Sequence, residues 1–114
     1  MGSTIERFIS MDIVLKEVGI DGVYVKAIGR MDLDNAVEYG TKIKDYIEDS
    51  EDKINNLTLD FSEITFISSF GLKVVLELYK LLKAQDGVLK LQNVSEELME
   101  SFRMVGFDKF LLFE

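Results

Sequence analysis

Neither cysteine nor histidine occurs in the 114 residues of this chain. Without thiols there are no disulfides, no cysteine nucleophile and no thiolate metal site. Without imidazole, a serine triad lacks its usual general base and zinc its commonest ligand. Proline is also absent, which rules out cis-proline turns. Basic residues are scarce: 13 Lys and Arg stand against 21 Asp and Glu, a formal net charge of −8. That balance argues against nucleic acid, which needs a basic footprint, and equally against an anionic membrane surface. A basic or amphipathic partner surface suits it better. No apolar run approaches the roughly 18 residues of a membrane span. The N-terminus lacks a basic-then-apolar signal pattern, so the expected location is cytoplasmic. Met1-Gly2 resembles a myristoylation start, but Glu6 stands where that signal needs Ser or Thr. Met1-Gly2-Ser3 also reads as a cloning remnant, and residues 1–10 as a flexible or tag-derived N-terminus.

What is present is ordinary for a globular domain: 47% hydrophobic and 30% charged residues. The length fits one domain over residues 1–114, able to bury roughly 65% of its unfolded surface. Strands are expected from Asp12 to Val18 and from Val23 to Ile28, joined through an Asp21-Gly22 turn as an antiparallel hairpin. Gly29 to Asn35 reads as a loop ending in possible N-cap residues, among them Asp32, Asp34 and Asn35. Ala36, Gly40, Ile43 and Ile47, with Val37 adjoining, mark one face of a helix reaching about Asp49. Leu57 to Phe61 alternates apolar and polar residues as a half-buried strand does. A short linker follows, and then a helix with Leu72, Val75, Leu76, Tyr79 and Leu82 on one face, widened by Val74, Leu78 and Leu81. It should stop near Ala84, with Gly87 as a turn residue. Val88 to Leu91 makes another strand. Ser95 caps a short helix with Glu96 and Glu97 in its first turn, Val94 and Met99 at staple positions, and Gly106 at its end. Phe110 to Phe113 closes the chain as an apolar strand. The order β-β-α-β-α-β-α-β predicts an α/β domain with a mixed four- to five-stranded sheet packed by helices.

The most informative place is the junction Ile67-Ser68-Ser69-Phe70-Gly71-Leu72, where strand pattern gives way to helix pattern. A hydroxyl there faces the unpaired N–H groups and positive dipole end of a helix. It can cap that helix, and it can equally hold a phosphate with little disturbance. Enzyme readings find no support. The Gly-x-Ser-x-Gly elbow lacks its first glycine, there is no Walker-type loop, and no EF-hand spacing occurs. Asp60 at a strand end is reminiscent of a phospho-accepting receiver domain, but the companion acids and lysine do not line up. The expectation is therefore a protein that is not an enzyme and carries no cofactor or metal.

Leu59-Asp60-Phe61 followed by Ile64-Thr65-Phe66-Ile67-Ser68-Ser69-Phe70-Gly71-Leu72 resembles the signature segment of the STAS domain, the family of sulfate transporters and anti-sigma factor antagonists. Gly29-Arg30-Met31-Asp32 with Ala36 resembles that family's lead into its first helix. Gly87 to Leu91 resembles the strand after its second helix, and Phe102 to Phe110 its Phe-x-x-x-Gly-Leu-x-x-[Ile/Phe] ending. The resemblance runs from Asp12 to Phe113. It implies a STAS-like fold and, in the antagonist branch, a serine phosphorylated by a partner that is both kinase and anti-sigma factor. By position that serine is Ser69, with Ser68 as second choice. Arg30, Asp32, Ser68, Ser69, Phe70 and Gly71 would form the partner-binding surface. A serine phosphatase would reset the switch, and ATP and Mg²⁺ would belong to the kinase. Three departures from the family stand out. Ser68 replaces the usual Asp, Phe70 is bulky where a small residue is common, and the sequence stops at Glu114 where many members continue into a further helix. Two other readings accompany this one: a scaffold module whose serine is never modified, and a module binding a nucleotide or lipid.

Overall fold

A computed structural model describes residues 4–10, 13–18, 22–49 and 54–114, with side chains over 22–49 and 54–114. The strands are β1 (Thr4–Ser10), β2 (Ile13–Val18), β3 (Gly22–Met31), β4 (Asn56–Ile67), β5 (Val88–Gln92) and β6 (Leu112–Phe113). The helices are α1 (Leu33–Asp49), α2 (Ser69–Ala84) and α3 (Glu96–Met104), and a single 3₁₀ turn covers Phe107–Lys109. The strands form one sheet in the order β1-β2-β3-β4-β5-β6. β1, β2 and β3 pair antiparallel, and β3 to β6 pair parallel.

This is the expected α/β domain with its mixed sheet and opening hairpin. Because the parallel strands lie side by side in chain order, right-handed crossovers put α1, α2 and α3 on one face. The cross-strand rows Val23–Leu57–Leu89 and Val25–Leu59–Leu91 face the helices and are buried. They meet Ala36, Tyr39, Ile43 and Ile47 of α1, and Leu72, Val75, Leu78 and Leu82 of α2. The alternate rows, Tyr24–Thr58–Lys90 and Lys26–Asp60–Gln92, occupy the opposite face. That face is polar and carries ion pairs, Lys26 to Glu63 at 2.6 Å and Lys90 to Glu114 at 3.3 Å. Period-two alternation in the strands thus separates an apolar packed face from a polar one, on which Thr58 is buried as well.

Several elements differ from the sequence expectation. The sheet has six strands, because Thr4–Ser10, read as a flexible or tag-derived start, pairs with β2 as an edge strand. Most of the Gly19 to Gly22 turn, and residues 50–53 of the polar stretch after α1, lie outside the described residues. β3 continues through Gly29, Arg30 and Met31, and β4 through the anticipated linker to Ile67. The two extensions pair with each other as far as Met31 with Ile67, across two register shifts, so neighbouring backbone satisfies them. At the irregularity the Asp60 carboxylate accepts from the Ser62 N–H at 2.9 Å and from the Asn93 amide at 3.1 Å. The final strand is only Leu112–Phe113. Phe110, expected in that strand, instead packs with its ring centroid 5.1 Å from Tyr79, and Phe107 of the 3₁₀ turn lies 6.5 Å from Phe102.

Candidate functional site

The site grows from the paired ends of β3 and β4. Met31 and Ile67 are register partners, and both face the helical layer, buried. One residue beyond each, the chain turns into a helix. Asp32 caps α1: its Oδ1 accepts from the Asn35 N–H at 3.2 Å, and its carbonyl accepts from Ala36 at 2.8 Å. The Asn35 side-chain amide donates to the Arg30 carbonyl at 2.9 Å, tightening the same turn.

Ser68 caps α2 from an extended conformation, its Oγ accepting from the Gly71 N–H at 3.3 Å. The same hydroxyl donates to the Met31 carbonyl at 2.9 Å, and the Ser68 N–H donates to that oxygen at 3.0 Å. Both faces of the hydroxyl are therefore engaged. Ser69 is the first residue of α2, exposed, and its hydroxyl makes no hydrogen bond among the described residues. It stands at the positive end of the α2 dipole, and the first turn of that helix carries no acid. A phosphate there would meet favourable dipole and backbone N–H groups.

Gly71 is buried rather than part of the exposed surface. A Cβ on it would come within 2.7 Å of Ile67 Cγ1 and 2.9 Å of the Met31 carbonyl oxygen. Its role is to let α2 descend onto the ends of β3 and β4. Among the six residues expected at the partner surface, Gly71 supports it from beneath, and Arg30, Asp32, Ser68, Ser69 and Phe70 remain accessible or half-buried.

Phe70 was expected on this surface, and sequence reasoning missed two exposed apolar residues in the first turns of α1. Phe70 is 47% exposed at the second position of α2, and Leu33 and Val37, four residues apart on α1, are 51% and 57% exposed. Val37 was expected to adjoin the buried stripe, but Tyr39 takes that place, fully buried, with its hydroxyl donating to the Ile28 carbonyl. Leu33 and Val37 are left on the stripe's flank, and their spacing was the available signal. Phe66, also exposed, supports the Arg30 guanidinium 4.3 Å above its ring, and Arg30 Nε lies 3.9 Å from Asp32 Oδ2. The α1 and α2 starts thus present a free hydroxyl, bound polar caps and unpartnered apolar side chains together. Among the described residues, no helix is long and apolar enough to cross a membrane.

A six-stranded mixed sheet with its helices on one face, and a serine at the start of the second helix, defines a small α/β domain. The STAS domain model matches residues 14–114, and the chain belongs to that family. The "Anti-sigma-B factor antagonist" of Bacillus subtilis (strain 168) is 30% identical over 84 residues, covering 74% of this chain and 73% of its own. The Bacillus cell fate determinant SpoIIAA in its phosphorylated form superposes with a TM-score of 0.69 at 22% identity, covering 90% of each chain. An anti-sigma factor antagonist from Mycobacterium paratuberculosis gives 0.76 at 20% identity, over 96% of this chain and 89% of that one.

Proposed function

We propose that this protein is an anti-sigma factor antagonist. In this reading it binds a serine kinase anti-sigma factor through the starts of α1 and α2 and is switched off when that kinase phosphorylates Ser69. The observation that carries the reading is the division of labour between adjacent serines. Ser68 spends its hydroxyl on capping, whereas Ser69 offers an exposed hydroxyl with no bond to break. The family membership and the antagonist relative from Bacillus subtilis support it. Ser68 also supplies the helix cap by itself, so the absence of the family's usual Asp leaves the α2 start intact.

Phosphorylation would add about −1.5 to −2 charges and three strong acceptors at the helix start. The dipole and free N–H groups would tolerate it by up to about 2 kcal/mol, so the fold persists. Against a partner packed over Phe70, Leu33 and Val37, the same charge would have to be desolvated. Badly paired interfacial charges cost roughly 2–5 kcal/mol, about 30- to 5000-fold in affinity. That range is sufficient for an on/off switch without refolding. ATP and Mg²⁺ belong to the kinase, a serine phosphatase resets the state, and the setting is cytoplasmic.

The test is to incubate the protein with the serine kinase anti-sigma factor of its own cell and ATP, then map the modified residue by mass spectrometry. Phosphate on Ser69 is expected. Its absence from both Ser69 and Ser68 would reject the reading. Ser69→Asp is expected to weaken partner binding, and Ser69→Ala to hold the protein in its binding form.

A further inference from the structure

A concave feature lies away from Ser69, between α1 and α2. It is a half-open groove of about 540 Å³. Gly40 and Lys44 of α1 form one wall, and Val74, Leu78, Lys80 and Leu81 of α2 form the floor and the other wall. Gly40 lets the helices close at its base, since a Cβ there would come within 3.0 Å of Val74. The volume falls in the range of small-molecule sites, roughly 300–1,000 Å³.

The occupant can be narrowed from what lines the groove. Val74 and Leu78 are buried and Leu81 is half-buried, so the apolar floor is narrow. A protein partner needs about 800 Å² from each side, far more than this floor supplies. From Val74 to Leu81 the helix rises about 10 Å, close to the length of an extended eight-carbon chain. Lys80 has no acidic partner within 4.0 Å among the described residues, and Lys44 has only a loose one, Glu48 at 3.8 Å. Two lysines line a groove with an apolar floor in a chain of net charge −8, a local basic character suited to an anionic head. Glu77 lines the same groove and favours a singly charged head over a doubly charged phosphate.

We propose that the α1–α2 groove binds a monomeric medium-chain carboxylate, its tail along Val74, Leu78 and Leu81 and its head met by Lys44 and Lys80. Lys80 stands eleven residues beyond Ser69, about 16 Å along α2, so occupancy leaves the serine free and the inference stands independently of the proposed switch.

The test is a titration of the ¹⁵N-labelled full chain followed by two-dimensional amide NMR, with sodium octanoate, sodium acetate and octylammonium chloride as probes. Octanoate is expected to give saturable shifts centred on Gly40, Lys44 and residues 74–81, with Kd on the order of 1 mM. Acetate, lacking a tail, is expected to give none there. Octylammonium, with the tail but the opposite charge, is expected to bind at least about fivefold more weakly. Lys80→Gln, a surface change, is expected to weaken octanoate by about two- to fivefold while leaving the thermal midpoint unchanged. The proposal is overturned by non-saturable octanoate shifts, by equal binding of octylammonium, or by a shift maximum at Phe66 and Phe70. Association with anionic vesicles without octanoate binding overturns it as well.

Discussion

The Ser68 hydroxyl donates to the Met31 carbonyl oxygen at 2.9 Å, joining residues 37 apart in the chain. Through this bond the cap of α2 is anchored on the last residue of β3, immediately before the cap of α1. The two helix starts are therefore a single structural unit. A change in one cap should be felt in the other.

Replacing the two serines separates the cap from the proposed phospho-acceptor. Ser68→Ala removes both hydrogen bonds of its hydroxyl and is expected to cost about 0.5–2 kcal/mol. Ser69→Ala removes an exposed hydroxyl with no described bond and is expected to stay within about 0.5 kcal/mol of the parent. Urea unfolding of the two variants decides the matter, and equal losses would contradict the assignment of roles.

Gly71→Ala tests the close approach of α2 to the strand ends. The added methyl would sit 2.7 Å from Ile67 and 2.9 Å from the Met31 carbonyl, both in buried, well-packed positions. A loss of about 1–3 kcal/mol is expected from overpacking. An unchanged unfolding midpoint would mean that α2 shifts freely at its start.

For partner binding, Phe70→Ala and Leu33→Ala are expected to weaken association by more than about 1 kcal/mol each, because exposed apolar anchors at an interface centre carry such weight. Circular dichroism should show the fold unaltered, since both side chains are about half exposed. Val88→Ala, in β5 and outside the two helix starts, should leave binding unchanged. A Val88 effect as large as that of Phe70 would move the interface elsewhere.

Among the described residues, Asp60 is a source of acid sensitivity. Burial pushes its carboxyl up, but the Ser62 N–H, the Asn93 amide, the Ser62 hydroxyl and nearby Lys26 outweigh that, and it titrates below its ordinary value of 3.8. The folded pKa lies under the unfolded one, so ionised Asp60 stabilises the fold above that value. The contribution fades as pH falls through the folded pKa. Asp60→Asn should remove this component, making the urea midpoint fall less steeply below about pH 4 than in the parent. Parallel curves for the two proteins would assign the acid loss to other groups.

Much of this architecture is legible along the chain. Alternation over Leu57 to Phe61, the stripe from Leu72 to Leu82, and Ser95 accepting from Leu98 at 3.2 Å are all local patterns, and they appear in the structure where they were expected. The Ser68-Ser69 junction was legible for the same reason, because a hydroxyl before an apolar helical run is a cap signal. Gly29 to Met31 and Ser62 to Thr65 were not. They carry glycine or polar residues without alternation, and become strand only because each lies beside the other. Val37 misled because apolar character alone does not distinguish the centre of a buried stripe from its flank. Gly71 looked like part of the signature surface, and its burial follows from the height at which α2 meets Met31 and Ile67.

The identity and order of the elements from β2 onward, and the chemistry at each helix start, came from residues within a turn or two of one another. Periodicity and capping act over that range, so the chain alone was enough for them. The shared site is different. That the Asp32 and Ser68 caps follow adjacent strand ends, with Leu33, Val37 and Phe70 exposed on the two helices that begin there, depends on the parallel register that sets Met31 against Ile67. Register is an agreement between segments far apart in the chain, reached only when the sheet and its helices pack, and no local pattern carries it.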